Sequence, residues 1–70
     1  MQKKLRILSA NLWNGRVDPD GFVNLVESLS ADVVAVQELS FDQAEALSAC
    51  MPHGVLYPAA NFVGMGVALR

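Results

Sequence analysis

Residues 31–38 read Ala-Asp-Val-Val-Ala-Val-Gln-Glu, and the other predicted elements are arranged around this stretch. The run from Asp32 to Val36 is rich in β-branched residues and shows no alternation of apolar and polar positions. Such a run is typical of a strand that is covered on both faces, as in a parallel or sandwiched sheet. We therefore predict a central strand here, with Glu38 at its end.

A helix is predicted immediately before this strand. Asp18 can accept a hydrogen bond from a free backbone N–H of the first turn, and Pro19 suits the first helical position because its missing N–H costs nothing there. Apolar residues then recur at helical spacing, at Phe22, Leu25, Val26 and Leu29. The spacing predicts an amphipathic helix whose apolar side faces the core.

A second helix is predicted after the strand. Residues 40–43 read Ser-Phe-Asp-Gln, which is a capping box with Gln43 at its third helical position. The apolar stripe of this helix consists of Phe41, Ala44, Leu47 and Met51. Residues 52–54, Pro-His-Gly, are predicted to stop the helix in a turn. The only histidine, His53, is therefore interpreted as a loop residue.

Three further strands complete the predicted order β-α-β-α-β-β. They cover residues 4–10, residues 55–57 and residues 63–69, with a loop from Asn11 to Asp18 after the first. This order belongs to the α/β or α+β classes. The first two strands should lie parallel in one sheet, joined by a right-handed crossover through the first helix.

Composition narrows the possible functions. The chain has 70 residues, enough for one small domain, and a net charge of −2, which argues against a strongly basic nucleic-acid surface on this segment. The single cysteine, Cys50, cannot form an internal disulfide, and we interpret it as a small core residue. No apolar run is long enough to span a membrane, and no targeting segment is recognised. The compartment stays open, with a cytoplasmic location favoured.

The last predicted strand runs to Leu69, one residue before the chain stops at Arg70. A sheet that stops there has an open edge, and the apolar faces of its strands lack a covering layer. A unit of this size also buries little core. We therefore expect either a piece of a longer fold or a chain that is completed by a partner chain.

Two polar residues stand where α/β proteins gather their ligands. Asn11 follows the first predicted strand and Glu38 ends the second, so both should emerge at the same edge of a parallel sheet. A carboxylate there can hold Mg²⁺, which takes oxygen ligands and often only one or two carboxylates. An amide can orient a phosphate or a metal-bound water. In the alternative interpretation, Glu38 is an ordinary surface residue and Asn11 an ordinary turn residue.

The sequence around these residues resembles the endonuclease/exonuclease/phosphatase family. Residues 5–14, Leu-Arg-Ile-Leu-Ser-Ala-Asn-Leu-Trp-Asn, resemble its opening strand, which closes on Ser-x-Asn. Residues 31–38 resemble its second motif, Asp-(Val/Ile)-(Val/Ile)-x-(Leu/Val)-Gln-Glu. Residues 64–69, Gly-Met-Gly-Val-Ala-Leu, are similar to its next strand but lack the terminal Ser. The resemblance implies an α+β fold, the N-terminal part of a two-layer β-sandwich flanked by helices and several times longer than this chain.

The resemblance also implies a chemistry. Glu38 would be the acidic ligand of Mg²⁺ or Mn²⁺, and Asn11 would contribute to the same cation site by hydrogen-bonding the metal-bound water or the scissile phosphate. These two residues would be the catalytic and metal-site residues of residues 1–70, an N-terminal fragment of one domain. An activated water would hydrolyse a phosphoester in a nucleic acid, a lipid headgroup or a small molecule. The family's Asp-x-Asn and Ser-Asp-His motifs are missing, and His53 does not replace the family histidine, so the 70 residues alone should be inactive.

Two rival hypotheses stay open. The chain could be a non-catalytic α/β module, either a degenerate relative or a unit completed by a partner, or an unrelated doubly wound domain. The unrelated doubly wound domain is disfavoured because Gly15 is the only glycine between Asn11 and Arg16, so no glycine-rich phosphate loop follows the first strand.

The loop after the first strand contains two further residues of interest. Trp13 could line a substrate groove or cover the sandwich, with covering favoured. Arg16 could meet a phosphate but is better explained as solvated.

Overall fold

The structure is a computed structural model that describes residues 4–70. In this part of the chain the strands are β1 (Ile7–Asn11), β2 (Val33–Gln37), β3 (His53–Tyr57) and β4 (Met65–Leu69). The helices are α1 (Pro19–Leu29) and α2 (Phe41–Cys50), and a 3₁₀ turn covers Trp13–Gly15. The predicted β-α-β-α-β-β order and the α+β class are confirmed. Neither helix of the described part is long and apolar enough to cross a membrane.

The four strands form one mixed sheet in the order β1-β2-β4-β3. β1 and β2 are parallel, with Ile7 opposite Val33 and Asn11 opposite Gln37, which confirms the predicted parallel pair. β4 runs antiparallel to both of its neighbours, β2 and β3. The carboxyl ends of β1 and β2 therefore lie side by side at one edge of the sheet.

The first strand begins and ends later than predicted. β1 starts at Ile7, and its last residue is Asn11, which the sequence had assigned to the loop. Arg6 marks the limit because its backbone N–H donates to the Asp32 carboxylate (3.0 Å) and its carbonyl accepts from the N–H groups of Asp32 and Val33. The side chain of Asp32 thus replaces a ladder partner at this point. The predicted start at residue 4 was wrong by three residues.

The prediction that His53 lies in a loop was wrong. His53 is the first residue of β3 and pairs with Leu69 of β4. The next residue has to be glycine, because position 54 has φ +106° and a Cβ there would meet the carbonyl oxygen of Val67 at 2.2 Å. The Pro-His-Gly sequence therefore produces a distorted strand start in close backbone contact with β4, and not a turn.

The predicted start of α1 is confirmed. The Asp18 carboxylate accepts a hydrogen bond from the backbone N–H of Gly21 (2.8 Å), and Pro19 occupies the first helical position. The apolar stripe is only half buried, because Phe22 and Val26 face the core while Leu25 and Leu29 stay exposed.

The capping box of α2 is also confirmed. The Ser40 hydroxyl accepts from the Gln43 backbone N–H (3.3 Å), and the Gln43 side-chain oxygen accepts from the Ser40 N–H (2.9 Å). Ala44, Leu47 and Met51 are buried as predicted. Phe41 is 60% exposed, because it lies at the first position of the helix beside an open groove and not over the sheet.

Both helices pack on the same face of the sheet, and the core lies between them and that face. Its buried apolar residues are Leu12, Phe22, Val26, Ala31, Val34, Val36, Leu39, Ala44, Leu47, Met51 and Ala68. Cys50 borders this core and is half buried, which agrees with its predicted core role only in part. Burial raises the pKa of the Cys50 thiol, and the nearby Glu27 carboxylate raises that pKa further.

The opposite side of the sheet, here called the open face, has no covering layer within residues 4–70. Its large apolar side chains are exposed, at Ile7, Val55, Tyr57, Met65, Val67 and Leu69. Val33 and Ala35 of β2 also point to this side and are only half buried, so the predicted burial of β2 on both faces is not met here. The second sheet that the family resemblance implies is not formed by the described residues.

Candidate active site

The candidate site lies where β1 and β2 end. Asn11 is the last residue of β1 and is paired in register with Gln37, the last residue of β2. Glu38 follows Gln37 directly and is half buried, whereas Asn11 is exposed. The parallel pairing thus brings together the two residues that the sequence singled out, although they are separated by 26 others.

Asn11 and Glu38 are hydrogen-bonded to each other. The Asn11 amide nitrogen, Nδ2, donates to Glu38 Oε2, and its oxygen, Oδ1, accepts from the backbone N–H of Trp13 at 2.8 Å. The Trp13 N–H fixes the orientation of the amide, since only the amide oxygen can accept its hydrogen bond. Asn11 therefore presents a donor to the carboxylate and keeps one further N–H for another acceptor.

The backbone is constrained on both sides of this pair. Trp13, Asn14 and Glu38 all have φ between 51° and 54°, in the left-handed region that non-glycine residues seldom occupy. Such residues cost of order 1–3 kcal/mol each and persist only where the surroundings fix them. At Glu38 this conformation turns the chain sharply out of β2.

Contacts from the β3–β4 connection hold the turn at Glu38. The Leu39 N–H donates to the Gly64 carbonyl (3.0 Å), and the Leu39 carbonyl accepts from the Ala59 N–H (3.1 Å). Gly64 is required by this close approach, because a Cβ there would lie 2.0 Å from the Leu39 carbonyl oxygen. Gly64 is thus a site-supporting residue that the sequence indicated only as part of its weakest motif.

The loop after Asn11 exposes an aromatic and a cationic side chain side by side. Trp13 is 58% exposed, so the sheet and helices of residues 4–70 do not bury it. The Arg16 guanidinium lies 5.0 Å from the centroid of the Trp13 ring, a cation–π arrangement. The prediction that Trp13 covers the sandwich is not met within these residues.

Polar groups from the open face extend the site. Gln37 and Asn11 form the last polar row of β1 and β2, and the Gln37 amide nitrogen lies 3.4 Å from the Ser9 hydroxyl. His53 takes no part, since it pairs with Leu69 at the opposite end of the strands, displaced from the site by about 13 Å along the strand direction and lying in the other edge strand. Sequence reasoning had singled out neither Gln37 nor Ser9 as a site residue.

The residues present fit a hard cation in part. No group of three His, Cys, Asp or Glu residues comes together between residues 4 and 70, so the site there offers one carboxylate, that of Glu38. Mg²⁺ needs only one or two carboxylates beside water and substrate oxygens. Glu38 is the better ligand because it carries the negative charge, and Asn11, whose oxygen accepts from the Trp13 N–H and whose nitrogen donates to Glu38, is its hydrogen-bonding neighbour.

Comparison with known protein families gives a match over most of the chain. A sequence model of the endonuclease/exonuclease/phosphatase family matches residues 8–69. The chain belongs to the endonuclease/exonuclease/phosphatase family. No curated protein and no solved structure matches the chain.

Membership of the endonuclease/exonuclease/phosphatase family confirms the resemblance seen in the sequence. The matched region contains β2 and all of β1 except Ile7, together with Asn11 and Glu38. The family typically consists of metal-dependent hydrolases of phosphoesters, so the chain is related to phosphodiesterases and phosphatases.

Proposed function

We propose that this chain is the N-terminal part of a divalent-metal-dependent hydrolase that cleaves phosphodiester or phosphomonoester bonds with an activated water. The observation that carries the proposal is the contact between Asn11 and Glu38 at the carboxyl ends of two parallel strands. That edge is where open α/β sheets bind their ligands. Family membership supports the same reaction class.

Glu38 and Asn11 take different roles in this proposal. Glu38 holds Mg²⁺ or Mn²⁺ through its carboxylate, and the bound cation polarises phosphoryl oxygens and offsets developing charge. Asn11 holds the Glu38 carboxylate in place through Nδ2. The remaining N–H of the amide donates to a phosphoryl oxygen or to the attacking water, without adding negative charge beside the substrate.

We also propose that residues 1–70 form the N-terminal portion of a single larger domain. The apolar open face supports this, because exposed apolar patches of this kind mark surfaces that another element covers. The sequence contains neither Asp-x-Asn nor Ser-Asp-His. The groups that activate the water and protonate the leaving oxygen would then come from elsewhere in the domain, and the 70 residues alone would show no useful turnover.

Glu38→Gln in the complete protein tests the metal assignment. The change removes the charge and keeps the size, so the Mg²⁺ concentration for half-maximal activity should rise. Activity at fixed Mg²⁺ should fall by more than the roughly 10–100-fold that loss of an outer-sphere partner costs. Steady-state hydrolysis of a generic phosphodiester and a generic phosphomonoester, each titrated with Mg²⁺, measures both effects.

Glu45→Gln provides the matched control. Glu45 is an exposed carboxylate on α2, away from the ends of β1 and β2, and its loss should leave the Mg²⁺ titration unchanged. An unchanged titration for Glu38→Gln would reject Glu38 as a ligand. A complete protein with no hydrolytic activity and no Mg²⁺ binding would instead favour the non-catalytic module.

A further inference from the structure

Gln43 is a buried polar side chain that neither the capping box nor the core fully explains. It is 1% exposed, and within residues 4–70 it is the only polar residue buried to this degree. Its side-chain oxygen accepts from the Ser40 N–H, as the capping box requires. Its side-chain nitrogen, Nε2, donates to the carbonyl oxygens of Leu12 (3.0 Å) and Val17 (2.9 Å), outside the helix.

These two carbonyls lie at the ends of the loop that follows Asn11. Leu12 is the residue directly after Asn11, and Val17 lies at the other end, with the strained Trp13 and Asn14 between them. The two N–H groups of the Gln43 side chain therefore bind the two ends of this loop. Left-handed residues persist only where surrounding contacts over-determine them, and the Gln43 amide supplies two of those contacts.

The same side chain is tied to the loop that carries Glu38. Ser40, which Gln43 caps, stands two residues after Glu38. The two loops are also in direct contact, because a Cβ added to Gly15 would lie 3.1 Å from the Ser40 Cβ. The buried amide of Gln43 thus connects the segment that follows Asn11 in the sequence with the segment that follows Glu38.

We propose that Gln43 is a positioning residue of the phosphoester site, which fixes Asn11 relative to Glu38 by clamping the loop at residues 12–17 to the start of α2. The proposal rests on the proposed function of the Asn11–Glu38 pair. Gln43 is buried beneath the loops and touches neither substrate nor cation. It acts only through the backbone of its neighbours.

Gln43→Glu in the complete protein separates the clamp from the cap. Glu at this position of a capping box still accepts from the Ser40 N–H, but as a carboxylate it cannot donate to the Leu12 and Val17 carbonyls. We expect kcat to fall by roughly 10–100-fold and the half-saturating Mg²⁺ concentration to rise, as for other residues that orient a metal ligand. KM for the substrate should change less than kcat.

Ser40→Ala is the control. It removes the hydroxyl that caps α2 but leaves both Gln43 donors in place, so it should lower the melting temperature without changing the Mg²⁺ titration. The positioning role is overturned if Gln43→Glu leaves kcat and the Mg²⁺ titration unchanged. It is equally overturned if Ser40→Ala, with a melting temperature similar to that of Gln43→Glu, shows the same loss of kcat.

Trp13 supplies a readout that does not depend on activity. It is the only tryptophan of the sequence above, and it sits in the clamped loop. In Gln43→Glu its fluorescence anisotropy should fall and its quenching by acrylamide should rise, whereas Ser40→Ala should leave both near wild type. If the fluorescence of Gln43→Glu matches wild type, the clamp does not order the loop. A complete protein that contains further tryptophans needs them replaced by phenylalanine first.

A pH profile distinguishes the clamp from a general loss of stability. The introduced carboxyl would be buried beside two carbonyl oxygens, so its pKa should be raised, and once protonated it can donate one hydrogen bond. The ratio of Gln43→Glu activity to wild-type activity should therefore increase as the pH falls. A ratio that stays flat with pH would count against the clamp. If Gln43→Glu does not fold, Gln43→Met removes both donors together with the acceptor for the Ser40 N–H, and its catalytic loss is then compared with that of Ser40→Ala, which impairs only the cap.

The outcomes also separate this inference from the proposed function. If the wild type hydrolyses phosphoesters and Glu38→Gln impairs it, while Gln43→Glu behaves like wild type, only the positioning role is lost. If the wild type is inactive and Glu38→Gln changes no Mg²⁺ binding, the proposed function is rejected and the positioning role with it.

Discussion

At the residue scale, the candidate site depends on the direction of one amide. The Asn11 side-chain nitrogen points to Glu38 because the side-chain oxygen accepts a hydrogen bond from the Trp13 N–H. A carboxylate at position 11 could satisfy the Trp13 N–H but would repel Glu38 and could not donate to it. The choice of an amide therefore follows from the two partners that this side chain must satisfy at once.

Asn11→Asp should consequently impair hydrolysis more than it impairs folding. The variant keeps the acceptor for the Trp13 N–H and loses the donor to Glu38 and to the substrate. We expect kcat/KM to fall on the order of 10–100-fold, as for the loss of a partner that orients a metal ligand. Measurement of kcat/KM beside the thermal midpoint checks this, and wild-type kinetics in Asn11→Asp would contradict the assigned orientation.

Cys50 gives a pH-dependent prediction. Burial first, and the Glu27 carboxylate second, raise the pKa of its thiol above the ordinary value of 9.0. Alkylation by iodoacetamide should therefore be slower than for a free thiol at pH 8–9, and Glu27→Gln should accelerate it. The proton is held more tightly in the folded state, so this contribution to stability is complete below pH 9.0 and is lost as the pH rises through the folded-state pKa. Equal alkylation rates in both proteins would contradict the role of Glu27.

At the element scale, the sequence predicted the helix caps and the parallel strand pair, which follow from short sequence patterns and the crossover rule. The Asp18 cap, the Ser40 capping box and the parallel β1–β2 pair all depend on residues close in sequence or on the crossover rule. His53 and the second role of Gln43 depend on contacts with β4 and with the loop after β1, which no local pattern encodes. Sequence could therefore predict that Asn11 and Glu38 share an edge, but not which groups hold them together.

The N-terminal cap of α1 should be a measurable source of stability. Asp18→Ala removes the acceptor for the Gly21 N–H and should lower the free energy of unfolding by about 1 kcal/mol. Asp18→Asn keeps a capping oxygen and should lower it far less. Urea denaturation of the three proteins checks this, and an equal loss in both variants would show that the charge and not the cap matters.

At the scale of the whole molecule, all core packing of residues 4–70 is on one side of the sheet. The buried residues face the helices, while the open face keeps its apolar side chains in solvent. Exposed apolar surface of this extent favours association. The described residues thus resemble one half of a sandwich in their distribution of apolar groups, as the proposed single domain requires.

Val55→Lys tests that proposal because it should be favourable in the isolated 70-residue chain and unfavourable in the complete protein. Val55 is an exposed residue of the open face, in edge strand β3. In the isolated 70-residue chain the lysine should reduce binding of the dye ANS and reduce self-association. In the complete protein it should lower the free energy of unfolding, by roughly 1–3 kcal/mol, because a charge would be buried under the second layer. No loss of stability in the complete protein would mean that nothing covers this face.

The close approach of Gly64 to Leu39 has a consequence for exchanging parts between related proteins. The turn that carries Glu38 rests on the backbone of Gly64, and Asn11 rests on Glu38. The three sequence motifs, at residues 5–14, 31–38 and 64–69, are therefore in contact through their backbones and side chains, although they are far apart along the chain. A chimera that takes one motif from a relative should lose some of these contacts with the other two motifs, whereas a chimera that takes all three should keep them.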